Sequence, residues 1–125
     1  MRIREVDPFD LPDWLSAGPV TCTVGEIDPA RVSGRFSALD RGEVDSQIWA
    51  IDRAYPSAVL PDQWRTPAHR AWSHGQVLLI DVEGTLVLAV PGVTLPAEEI
   101  LHAVARFANA VGAAPRDYLV AIAAR

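Results

Sequence analysis

The chain has 125 residues, half of them hydrophobic and 22% charged, which suits one domain with a core that needs no disulfide or metal staple. A formal charge of −5 argues against a nonspecific nucleic-acid or anionic-membrane surface. Cys22 is the single cysteine, so no disulfide forms within the chain. All eleven basic residues are Arg. Forked guanidinium groups suit phosphate or carboxylate recognition, but the abundance of Ala, Val, Gly and Pro points to GC-rich coding as the simpler cause. The first residues, MRIREVDPFD, lack the apolar stretch of a signal peptide. The longest apolar runs are broken by Asp81, Glu83 and Pro91, well short of a membrane span. The expected location is the cytoplasm.

Residues 2–6 have the length of a short edge strand. Asp10 is placed to cap a short helix, LPDWLSA, with Pro12 in its first turn, Gly18 at its end and Trp14 and Leu15 turned inward. Residues 1–18 thus read as an arm laid on the main body. From Val20 the period becomes two. Val20, Cys22 and Val24 share one face, and after a turn at Asp28-Pro29 so do Val32, Gly34, Phe36 and Ala38. The opposite face carries Thr21, Thr23, Arg31, Ser33, Arg35 and Ser37, the pattern of a half-buried antiparallel hairpin. Asp40-Arg41-Gly42-Glu43 resembles a capping box, and Val44, Ile48, Ile51 and Tyr55 follow at helical spacing. This predicts a helix over 42–54, with a strand through QIWAI as the competing reading.

Residues 56–75 are irregular and punctuated by Pro61 and Pro67. TPAHRAWSHG reads as one or two helical turns with Thr66 as N-cap and Gly75 as stop. The centre of the chain is QVLLIDV-EG-TLVLAV, two strands apolar on both faces around a two-residue turn. A helix follows, with Pro96 at its start, Glu98 and Glu99 in its first turn and Gly112 after its end. Ile100, Leu101, Val104, Phe107, Ala108 and Val111 form its apolar stripe. Pro115 ends helical structure, and DYLVAIA reads as a closing strand.

These elements predict a single α+β domain with a mainly antiparallel sheet of about five strands. Residues 20–54 and 77–111 would form two ββα units with their helices on a shared face, and a C-terminal strand would complete the sheet. The other face of the 77–90 hairpin then needs a cover: residues 56–75, the N-terminal helix, or a second copy of the chain.

Leu78 to Val87, LLIDVEGTLV, resembles the first motif of haloacid-dehalogenase-type phosphatases, an apolar strand followed by Asp-x-Asp-Gly-Thr-Leu. The resemblance implies Asp81 as a nucleophile attacking phosphorus beside Mg²⁺, with Glu83 where that family has its general-acid Asp. It covers about ten residues, Glu replaces the second Asp, and only 38 residues follow Val87 with Asp117 as their sole Asp. A short motif outside its structural context is weighed against a plain hairpin turn, which is the reading preferred here.

Trp64, Arg65, His69, Arg70, Trp72 and His74 fall within thirteen residues, and with Trp49 they make the candidate surface for a ligand or partner. His69, His74 and Asp81 are the candidates for catalysis. His69 and His74 are five apart, off the spacing that stacks two metal ligands on one helix face, so no metal and no cofactor is implied. Tryptophans of this kind are usually buried, and core packing over the hairpin is their commonest role. The Arg31 and Arg35 face has no aromatic platform for nucleic acid, and Cys22 lies mid-strand, where a thiol is inert. The expected function is an accessory or regulatory domain acting through protein contacts, including contacts with itself. Inhibitor and immunity-type proteins share its size and acidity by analogy. The alternative is a small-molecule or enzymatic pocket between residues 62–74 and the sheet.

Overall fold

A computed structural model describes residues 2–52 and 61–123. The chain forms strands β1 (Ile3–Glu5), β2 (Val20–Asp28), β3 (Arg31–Ala38) and β4 (Gly42–Ala50), helix α1 (Arg65–Ser73), strands β5 (Leu78–Val82) and β6 (Thr85–Val90), helix α2 (Ala97–Ala110) and strand β7 (Tyr118–Ile122). The strands make one seven-stranded mixed sheet in the order β1-β5-β6-β4-β3-β2-β7. Four neighbour pairs are antiparallel, while β4–β6 and β2–β7 are parallel.

The α+β expectation is met in its coarse form and corrected in detail. Of the two expected ββα units only β5-β6-α2 forms, since residues 20–50 make three consecutive strands. Residues 42–50 are strand β4, not a helix, and the competing QIWAI reading is the one observed. Positions 44 and 48 share a strand face as readily as a helix face, since a spacing of four satisfies both periods. What separates the two is position 51, which falls on the opposite face of the strand. Ile48, Trp49, Ala50 and Ile51 are all buried, because β4 lies in the middle of the sheet with both faces covered there. Tyr55, the last residue of the expected helical stripe, and residues 56–60 of the irregular segment lie outside the described residues.

Local chemistry explains the elements that were anticipated. The β5–β6 hairpin turns on Glu83 (φ 52°) and Gly84 (φ 91°), both left-handed as a type I′ turn requires. The Asp81 carboxylate accepts from the Gly84 N–H at 2.7 Å and closes the turn. Helix α2 begins directly after Pro96, and its buried residues Ile100, Ala103, Val104, Phe107 and Ala108 fall on one stripe. Leu101, expected in that stripe, is 47% exposed, and Ala103 takes the buried place. The N-terminal segment forms two single 3₁₀ turns, Pro8–Asp10 and Asp13–Ser16, with Leu15 fully buried.

The two helices cover opposite faces. Helix α2 lies over a core of Val20, Cys22, Val24, Val32, Phe36, Ile48, Leu79, Leu88 and Val90, where Phe36 stacks on Phe107 at 4.4 Å between centroids. Tyr118 meets both rings edge-on, and its hydroxyl donates to the Leu15 carbonyl at 2.7 Å. Helix α1 and the turn before it cover the other face of β4, β5 and β6, with Ala68 and Trp64 over Trp49, Ile51, Leu78, Ile80, Val87 and Ala89. The expected shared helical face is therefore replaced by a sandwich. The cover for the 77–90 hairpin comes from residues 61–75, the described part of one of the options the sequence left open. Among the described residues no helix is long and apolar enough to cross a membrane.

Candidate functional site

The residues crowded between 62 and 74 separate when the segment folds. A 3₁₀ turn at Asp62–Trp64 runs straight into α1, so Thr66 sits inside the first turn and no side chain caps the helix. On one side of α1, His69 Nε2 donates to Asp52 Oδ2 at 2.6 Å, and the same carboxylate oxygen accepts from the Gly92 N–H at 3.0 Å. Arg65 Nε stands 3.4 Å from Asp52 Oδ1 as an ion pair without hydrogen-bond alignment, and its NH2 lies 3.3 Å from Asp62. This cluster ties α1 to the ends of β4 and β6. The His69 and Arg65 side chains are about half exposed, where ion pairs contribute little to stability.

Trp72 goes the opposite way, into the α2 side of the core, with the Arg106 guanidinium 3.6 Å above its ring. Arg106 also donates to the carbonyls of Trp72 and Gln76 at 2.7 and 3.1 Å, satisfying groups left open where α1 ends. Trp49 is 5% exposed, its indole N–H bonded to Gln47 at 2.7 Å and its ring under Arg31. Trp64 packs on the α1-side core. Arg70 is exposed, and its carbonyl accepts from His74 Nδ1 at 2.8 Å, so His74 serves as the end of the helix. Asp81 lies inside the antiparallel hairpin and pairs with Arg4 at 3.5 Å. The phosphatase-like motif therefore has no parallel-stranded cleft around it, and its Asp-x-Glu-Gly run is turn chemistry. No hydrogen bond or ion pair joins the side chains of any two of His69, Arg70, His74 and Asp81. Among the described residues no three His, Cys, Asp or Glu side chains gather to hold a metal ion.

Two further surfaces bear on binding. On the α1 side, the halves of β2, β3 and β4 beyond the helix, with the start of β6, present Thr23, Ser33, Arg35, Asp45, Gln47 and Thr85 around a shallow depression. Arg35 is held there by Asp45 at 2.7 Å and Glu43 at 3.0 Å, and the Asp45 hydrogen bond, then the two carboxylate charges, raise its pKa above the ordinary guanidinium value. With Arg31 stacked on Trp49, this face offers no row of free cations.

The other surface is the outer edge of β7, read in the sequence only as a closing strand. The two edges of the sheet differ in kind. Strand β1 is three residues long and carries Arg4 and Glu5, the charged, short form that blocks further pairing. Strand β7 reads Tyr-Leu-Val-Ala-Ile, five residues without a charge or a proline, with Leu119 68% and Ile122 42% exposed. Its β2-facing groups are fixed by the parallel register Val20↔Tyr118 to Val24↔Ile122 and by the Ala123 N–H donating to the Val24 carbonyl at 2.7 Å. Amides alternate along a strand, so those of Val120 and Ile122 point outward, while that of Tyr118 donates to the Pro115 carbonyl in the turn before the strand. The sequence signal was available as a strand-length uncharged run, but periodicity alone does not say which strand lies at an edge. No protein-family model matches the chain, and no curated protein and no solved structure matches it either.

Proposed function

We propose that the chain is a small cytosolic interaction domain that acts through protein contacts, with the outer edge of β7 as its contact strand. The observation that carries this reading is the difference between the two sheet edges, one short and charged, the other longer, neutral and lined by exposed Leu119 and Ile122. An unprotected edge offers a row of backbone donors and acceptors to an added strand, and the alternating side chains give that pairing its selectivity. The dispersal of His69, Arg70, His74 and Asp81 favours binding over catalysis. The tryptophans first considered as contact residues act from beneath, with Trp49 and Trp64 bracing the sheet and Trp72 joining α1 to α2.

A photo-activatable benzophenone amino acid at position 119 tests the reading in cells. Irradiation is expected to join the chain covalently to a discrete polypeptide, with a much weaker product from the same probe at Arg70 on the exposed side of α1. Equal labelling from both positions, or none from 119, would overturn the choice of strand.

A further inference from the structure

We infer that the partner of this edge is a second copy of the chain, joined through antiparallel β7–β7 pairing about a two-fold axis at Val120. The inference rests on the interaction reading above and goes further by naming the partner and the register. Centred on Val120, the strand is its own complement. The outward-pointing backbone groups of Val120 exchange a pair of hydrogen bonds with the same residue of the other copy, and on either side the Ile122 amide donates to the Tyr118 carbonyl, the Tyr118 amide being held by Pro115. Leu119 falls opposite Ala121 at the closer, non-hydrogen-bonded positions. No charge faces a like charge anywhere along the strand, although each chain carries −5 overall. The strand specifies no such matched row for a partner of different sequence.

The axis stands perpendicular to the sheet, so the two sheets run on as one and both copies of α2 lie on the same side. Helix α2 runs antiparallel to β7, since it returns from β6 and β6 is parallel, through β4 and the β4–β3–β2 meander, to β7. Arg106 marks the flank of α2 that faces α1. Leu101 lies on the other flank by helical spacing, toward β7, and its exposed side chain widens the apolar strip of Val120 and Ile122. A five-residue edge and one helix flank provide less than the roughly 800 Å² per partner of a standard stable interface. The pairing is therefore a reversible one that dissociates on dilution.

Sedimentation of the purified chain across a wide concentration range reads this directly. The mass is expected to climb from 13.5 kDa toward twice that value as concentration rises. Val120→Pro is expected to hold the chain at the single mass while keeping its circular dichroism, because the Val120 N–H faces away from β2. Should that variant unfold, Leu119→Arg takes its place, setting a cation beside the axis in each copy. The register is read by cysteine: mild oxidation is expected to link Val120→Cys chains, whose Cα atoms would sit about 5.5 Å apart, and not Ile122→Cys chains. Cys22 is the register partner of Val120 on β2, so both cysteine variants are made in a Cys22→Ala chain, which leaves only the link between copies to form. A strictly single mass at the highest concentration, a dimer indifferent to Val120→Pro and Leu119→Arg, or linkage through position 122 instead of 120 each overturns the inference. If the purified chain stays single while the position-119 probe still captures a different polypeptide in cells, the interaction reading stands without the dimer. If the probe captures nothing, both fall.

Discussion

Cys22 and Tyr118 occupy neighbouring strands in the core beneath α2, and both resist ionisation. Burial pushes the Cys22 thiol from its ordinary 9.0 to about 12. Burial first, and the nearby Cys22 second, raise the Tyr118 hydroxyl as well. Each group is neutral while protonated, and the folded chain keeps those protons to higher pH than the unfolded chain does. Their contribution to stability is thus complete below pH 9 and is lost as pH rises toward the folded values. Between about pH 9 and 12 the slope from Cys22 alone is about 1.4 kcal/mol per pH unit, with the unfolded chain favoured. Urea midpoints measured from pH 7.5 to 11 should fall above pH 9, and Cys22→Ala should flatten the first part of that fall whatever it does to the midpoint at neutral pH. At this scale the sequence was informative: an isolated cysteine in a period-two strand identified an inert, core-facing thiol. Tyr118's bond to Leu15 was not readable, because a contact spanning more than a hundred residues leaves no local spacing to detect.

Among the elements, the β5–β6 hairpin and α2 were the most legible, and both are specified by neighbours in sequence. Glu-Gly gives the turn, and Pro96 and Gly112 bound the helix. Strand β4 was the least legible. Its apparent capping box, Asp40-Arg41-Gly42-Glu43, is the bend between β3 and β4, with Asp40 at φ 60°. Gly42 is required there for a different reason. It has φ 154°, and a Cβ at that position would lie 2.8 Å from the Trp14 indole nitrogen. Arg41, next to it, donates to the Ala17 carbonyl and holds the same arm in place. Gly42→Ala should displace Trp14 and cost about 1–3 kcal/mol, the range for forcing a larger group into a packed site. Chemical denaturation followed by tryptophan fluorescence would register the loss. A neutral result would mean that the 1–18 arm is not packed on the β3–β4 bend as described.

For the molecule as a whole, composition and periodicity were enough for a single α+β domain but not for its topology. The parallel pairs β4–β6 and β2–β7 join segments far apart in the chain, and their strands look the same in sequence whichever neighbour they take. The placement of α1 on one face and α2 on the other follows from those pairings, so the expected shared helical face had no sequence signal against it. The same holds for the candidate residues. Sequence proximity grouped Trp64, His69, Trp72 and His74, whereas the fold sends Trp64 and Trp72 to separate cores and leaves the β7 edge, unremarked in the linear pattern, as the distinctive surface.

Strand β7 is attached to the sheet through β2 alone, and β2 carries the chain's single thiol. Long-range pairings of this kind close late in folding and are candidates to reopen first. A transient departure of β7 would uncover Cys22 while β3, β4, β5, β6 and α2 stay assembled. Alkylation of Cys22 under native conditions should then proceed faster than complete unfolding permits and slow as protein concentration increases. The thiol would act as a built-in clock for strand detachment.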